Sequence, residues 1–214
     1  MGVISAGTTM LDGGALDSGI PAGAMTLIKT ITASTASTVS FVDGASSVVF
    51  DDTYKSYVFK MIDIHPSHDL GRFEFQVSTN TGSGYGISST TTAWEATNKE
   101  GAGTALRYLG GDNDNSNSTD YINIGYNNGA DDDQCMAGQL EIYNPASTTF
   151  VKNFQCKVNN YEYSNNSMHF HGSGYFNTTS AIDAIQFRMR YWNSGSGSYA
   201  SSTINGIIKM YGIK

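Results

Sequence analysis

Charge is scarce in this sequence. Asp, Glu, Lys and Arg make up 14% of its 214 residues, well under the roughly 25% of an average domain. The balance, 12 basic against 19 acidic residues for a net −7, excludes a phosphate-binding surface as the basis of function. Nothing offsets repulsion from a nucleic-acid backbone, and no run of Lys or Arg makes a local exception. Cysteine is nearly absent too. Cys135 and Cys156 do not make a disulfide scaffold. Cys156 alternates with Phe154 and Val158, which points it at the core as a small hydrophobe. No apolar run approaches the ~20 residues of a membrane helix, so no membrane partner is expected. The first residues carry no early positive charge and no apolar h-region, so no signal peptide is read there. Ala6 stands where a myristoylation pattern wants Ser or Thr.

Helical periodicity is missing as well. Nowhere does an i, i+3, i+4, i+7 apolar pattern hold over three turns, whereas period-two alternation recurs along the chain. Aromatics at 12% exclude a disordered chain, which would be rich in charge and poor in rings. Val39 and Phe41, then Asp43-Gly44, then Val48 and Phe50 predict a hairpin, because Asp-Gly between apolar runs is a strong turn signal. Residues 57–64 are apolar on both faces, which suits a central strand ended by Pro66. Phe73, Phe75 and Val77 alternate with Glu74 and Gln76, a one-sided strand. Further strands are read through Trp94, over 106–109, at Ile122, Ile124 and Tyr126, and at Met136, Leu140 and Ile142 before Asn144-Pro145. Residues 150–158 and 168–175 follow. The chain closes on Ile185, Phe187, Met189 and Tyr191, a Ser/Gly loop over 192–203, and a last strand over 207–213.

Many short strands at roughly 8–12-residue spacing predict an all-β fold, an antiparallel jelly-roll-like β-sandwich. No internal repeat argues for a solenoid or propeller. Residues 25–214 form the single domain. Residues 1–24, small and polar with no period, read as an extended N-terminal arm that orders against a partner. Met10, Leu11, Leu16 and Ile20 are its candidate contacts.

Catalytic constellations are missing. No G-x-S-x-G elbow or P-loop is present. The acids fall mostly in turns, and only Glu74, Glu95, Glu141 and Glu162 sit in strand-like segments, so no pair is set across a cleft. His169 and His171 could chelate a metal from one strand face, yet Tyr175 and Phe176 stand where a cupin needs Glu. Asp112, Asp114, Ser116 and Asp120 resemble a calcium loop, but Asn117 and Asn123 replace the Gly and Glu that an EF-hand requires. Asp131, Asp132 and Asp133 read as a solvated hairpin loop. His65 and His68 flank Pro66 in a turn. No enzyme, no metal and no cofactor are expected. Trp94, Trp192, Tyr161, Tyr163, Tyr191 and Tyr199 could stack on sugars, and Trp192 and Tyr199 are the two expected to be exposed.

Several short stretches carry a resemblance. Residues 40–44 (SFVDG), 64–66 (IHP), 148–152 (TTFVK), 174–182 (GYFNTTSAI) and 209–213 (KMYGI) look like a family encoded by marine tailed bacteriophages such as cyanophages. The resemblance runs from Met25 onward and rests on structural motifs. It implies a virion component on the particle exterior, made in the host bacterial cytoplasm. A capsid decoration or cement protein is the first expectation, and a fibre or receptor-binding module for host-surface glycans the second. Its implied partners are the major capsid protein or other virion proteins, with a homo-trimer as the assembled form.

If no metal supports the fold, EDTA should leave the melting temperature unchanged. A drop of more than about 5 °C, on the order of 2 kcal/mol for a domain of this size, would reveal a structural ion.

Overall fold

Side chains two apart on a strand point the same way, and here the inward sets are large and often aromatic. The computed structural model describes residues 3–5, 8–12, 15–16, 25–101 and 103–214. In chain order the strands are β1 (Val3–Ser5), β2 (Thr8–Asp12), β3 (Ala15–Leu16), β4 (Met25–Ala36), β5 (Thr38–Val42), β6 (Ser56–Pro66), β7 (Gly71–Ser78) and β8 (Ser89–Lys99). After them come β9 (Thr104–Tyr108), β10 (Ile122–Asn128), β11 (Met136–Tyr143), β12 (Lys152–Glu162), β13 (Asn166–Phe176), β14 (Ala184–Asn193), β15 (Ser198–Ser202) and β16 (Ile204–Ile213). One short 3-10 turn, Gly111–Asn113, interrupts them. The chain is all-β.

Every pairing is antiparallel, and the order explains the sandwich. One sheet runs β4-β16-β6-β11 and continues through β12, β13 and β8 to β9. The other runs β5-β14-β7-β10, with β15 sharing the outer rim of β14. Set aside the β8–β9 and β12–β13 hairpins, β15 and the first three strands. Of the eight that remain, the first pairs with the eighth, the eighth with the third and the third with the sixth. The second, seventh, fourth and fifth make the opposite sheet. That is jelly-roll connectivity. The sheets meet at one corner, where Asn128 of β10 pairs with Glu162 of β12.

Between them lies a cluster of phenylalanines. Phe187 of β14 stacks on Phe73 at 5.6 Å, and its ring lies 5.7 Å from Phe59, 6.3 Å from Phe75 and 6.4 Å from Phe41. Phe75 in turn meets Phe154 at 5.2 Å and Phe176 at 6.0 Å. Rings from both sheets thus interlock. Cys156 joins the same core at 3% exposure, where burial pushes its thiol up to about 12. Cys135 is free as well, so no disulfide links them.

The last strand, expected over 207–213, is β16, and it lies inside the first sheet. β16 inserts between β4 and β6. At Gly206 (φ +123) a Cβ would meet the Asp63 carbonyl oxygen at 2.4 Å. Only glycine fits that irregular step in the pairing.

Four readings change. The Asp43-Gly44 turn makes no hairpin, because β5 pairs with β14 and residues 48–50 are not strand. Instead the Asp43 carboxylate accepts the Phe50 amide at 2.7 Å, a loop that returns Phe50 to the core. β7 is not one-sided. All eight of its residues are buried, since arginines cover Glu74, and Gln76 donates to carbonyls of Ile87, Thr119 and Asp120. The loop over 192–203 is largely the β14–β15 hairpin. The N-terminal segment is not simply extended: β1, β2 and β3 fold back on one another as a small antiparallel sheet, with Leu11 opposite Leu16. Met10 lies on β2, and Ile20 lies outside the described residues.

Phe187→Ala should remove contacts with four other rings and cost about 3–5 kcal/mol. A melting temperature lower by roughly 10 °C is expected for a domain of this size. An unchanged melt would mean the sheets are not held by this cluster.

Candidate functional site

Outward side chains on adjacent strands line up in rungs, because pairing fixes the register and alternation fixes the face. On the outer face of the long sheet one such rung crosses seven strands. Lys209 of β16 is opposite Lys60 of β6, Lys60 opposite Gln139 of β11, and Gln139 opposite Lys157 of β12. Lys157 then faces His171 of β13, His171 faces Trp94 of β8, and Trp94 faces Tyr108 of β9. Strands spaced ~4.8 Å apart make this row on the order of 30 Å long. The next rung adds Glu141, Gln155, Ser173 and Thr92.

Part of this surface is a groove of about 440 Å³ whose lining includes Trp94, His171, Lys157, Gln155, Gln139 and Glu141. The Trp94 indole stacks on His171 with centroids 4.2 Å apart and planes at 6°, yet the residue stays 42% exposed. His169 and His171 share a hydrogen bond between their Nε2 atoms at 2.7 Å, one ring donating to the other. Burial, then His169 and Lys157, hold the His171 pKa below its usual value. Glu141 accepts from the Ser56 hydroxyl at 2.7 Å and from the Tyr143 phenol at 3.1 Å. Lys60 lies 5.6 Å from the Tyr211 ring centre.

The remaining candidates fall elsewhere. Tyr199 belongs to the opposite sheet's outer face, where the Arg72 guanidinium donates to its hydroxyl at 2.9 Å and Arg190 lies 4.7 Å from its ring. Its ring is 5.2 Å from Trp192, which is 40% exposed. Tyr199 is therefore tied into a network, while Trp192 shows part of its surface to solvent. That network centres on Glu74, fully buried, with Arg72 Nε at 2.7 Å, Arg188 Nε at 2.8 Å and Arg190 Nη2 at 2.6 Å. Glu95, also fully buried, is held by Arg107 and the Tyr126 hydroxyl. Glu162 accepts from the Asn166 amide at 2.7 Å. All four strand acids thus have structural partners.

Among the described residues no three His, Cys, Asp or Glu side chains gather as a metal site. His65 and His68 serve the turn around Pro66. His65 Nδ1 is 2.7 Å from the Gln134 carbonyl, and His68 stacks on Tyr191 at 4.2 Å. Asp131, Asp132 and Asp133 are exposed between β10 and β11.

Compared with known proteins, the chain matches no family model, no curated protein and no solved structure. The arrangement offers stacking, amide and ammonium groups on a rigid sheet. These are groups that can hold a polar ligand.

Trp94 is one of the aromatics the sequence offers for stacking, but its neighbours were not visible there. Each lysine of the rung looks like an ordinary outward residue of its own strand, and only the register joins them.

A depressed His171 pKa means that the unfolded chain takes up this proton first as pH falls. The group's contribution to stability is complete above the unfolded value of about 6.5 and is lost as pH drops through it toward the lower folded value. The melting temperature of the native chain should therefore fall more between pH 7.5 and 5.5 than that of His171→Asn. Equal falls would show that His171 is not held neutral.

Proposed function

We propose that this chain is a structural protein of a tailed-bacteriophage particle, a decoration or cement protein on the capsid exterior. On this reading it is made in the host bacterial cytoplasm and assembles as a homo-trimer against the major capsid protein or another virion protein. The observation that carries the reading is β4. Among the described residues this twelve-residue strand is paired on one side only, with β16. Its exposed apolar side chains, Met25 at 42% and Leu27 at 52%, lie at the end that follows the N-terminal segment. A free strand edge is a template for pairing with another chain unless charge, proline or bulges guard it. β4 has a single charge, Lys29, whose ammonium is engaged by the Ser46 carbonyl at 3.0 Å. Steps in its register with β16 bend it in two places. The regular stretch between can accept a strand from a partner, and Met25 and Leu27 can bury against it. Residues 1–24, with Met10, Leu11, Leu16 and Ile20, precede β4 in the chain and are part of the proposed attachment.

The groove around Trp94 favours a second reading, a fibre or receptor-binding module that holds host-surface glycans. The two differ in copy number. Purified particles should carry the protein on the scale of the capsid subunits if it decorates them, and far fewer copies if it forms fibres.

Met25→Glu with Leu27→Glu should leave the melting temperature within about 2 °C, as exposed substitutions do, and should abolish binding to particles assembled without the native protein. A chain starting at Gly23 should fail in the same assay while keeping its fold. Full decoration by either variant would overturn attachment through this end.

A further inference from the structure

We propose that the outer face of the long sheet binds an acidic saccharide, a sugar chain bearing carboxylate or sulfate groups. Trp94 stacks on a sugar ring, and Lys157 with Lys60 holds the anionic substituents. The proposal names the ligand class for the glycan-binding reading above and rests on that reading only for its biological purpose.

Positive charge is gathered on this face. The chain is acidic overall, yet three of its eight lysines, Lys60, Lys157 and Lys209, fall on one rung. Among the described residues every ion pair is made by an arginine, and none of these lysines joins a carboxylate. The neighbouring rung supplies one acid, Glu141, already held by two hydroxyls. The other sheet is different. There Arg72, Arg188 and Arg190 are balanced by Glu74 together with Asp114 and Asp120 around the Tyr199 pocket. That cluster is neutral in sum and needs no ligand. The lysine rung keeps an excess of positive charge facing solvent.

Those lysines have polar neighbours. Gln139 and Gln155 present planar amides, and Thr92 and Ser173 present hydroxyls, the groups that pair with sugar hydroxyls. Trp94, one face of which His171 covers, keeps 42% of its surface exposed as the apolar surface a sugar ring packs against. A peptide would need apolar pockets, which this lining lacks. A nucleic acid brings a dense, continuous negative charge that a chain of net −7 repels. A saccharide with spaced acidic groups fits both the rung and the overall charge.

Isothermal titration of the full chain with galacturonic acid oligomers, sulfated galactan oligomers, neutral maltose oligomers and sodium sulfate tests this. At least one acidic series should bind, about ten-fold or more tighter than the neutral sugars, and binding should weaken as salt rises. Lys157→Gln should lower that affinity by about ten-fold, the worth of one charge-assisted hydrogen bond. Trp94→Ala should cost a comparable factor, and Trp192→Phe should change nothing. Melting curves of the variants, expected to match the native chain because both positions are exposed, exclude unfolding as the cause. Three results would overturn the proposal: no binding of either acidic series, affinity unaffected by Lys157→Gln or Trp94→Ala, or sulfate alone binding as tightly as the oligomers. Copy number on particles bears on the fibre reading separately, so the two can fail independently.

Discussion

The structure depends on aromatic packing between two sheets whose strands, among the described residues, pair with one another at one corner. Phe187 touches Phe73 and Phe75 within its own sheet and Phe59 across the gap, and Phe75 reaches Phe154 and Phe176 on the far side. Edge and tilted contacts of this kind add to plain burial. They also fix how the sheets lie over each other, because a ring cannot shift without displacing its neighbours. Everything on the outer faces inherits its position from that arrangement.

The two outer faces then take different courses. On the shorter sheet the arginines are consumed internally, three of them around the buried Glu74 carboxylate. A carboxylate taken out of water is tolerable only when charge and hydrogen bonds surround it, and β7, β14 and the β15 hairpin supply both. On the longer sheet the three lysines of the rung, Lys60, Lys157 and Lys209, form no ion pair with an acid. Lys and Arg are not interchangeable here. The planar guanidinium suits a fixed fork around Glu74, while the ammonium on a flexible stem stays hydrated and available.

Much of the fold was legible in the sequence, since alternation marks a strand wherever one face is buried. The inward set Phe154, Cys156 and Val158 stands out by spacing alone, and the closing strand is marked by the apolar run over 207–213. Reading failed where long-range contacts overrode local pattern. Glu74 and Gln76 look like solvent positions, but residues distant in the chain bury them. Asp43-Gly44 looks like a hairpin, but the partner of β5 lies some 140 residues away in β14. The lysine rung was illegible for the same reason. Seven strands contribute one residue each, and no local signal sets the register that joins them. The β4 edge was hidden too, because a strand's lack of a second neighbour is a property of topology rather than of its own residues.

On the function proposed above, the protein attaches through β4 and the segment before it while the groove face stays open. Hydrogen–deuterium exchange on the free protein and on protein bound to particles compares these surfaces directly. Amides of β4 that face its unpaired edge should exchange quickly in the free chain and slowly on the particle, with β8, β9 and β13 unchanged. Equal exchange along β4 in both states, with new protection around Trp94 and Lys157, would contradict it.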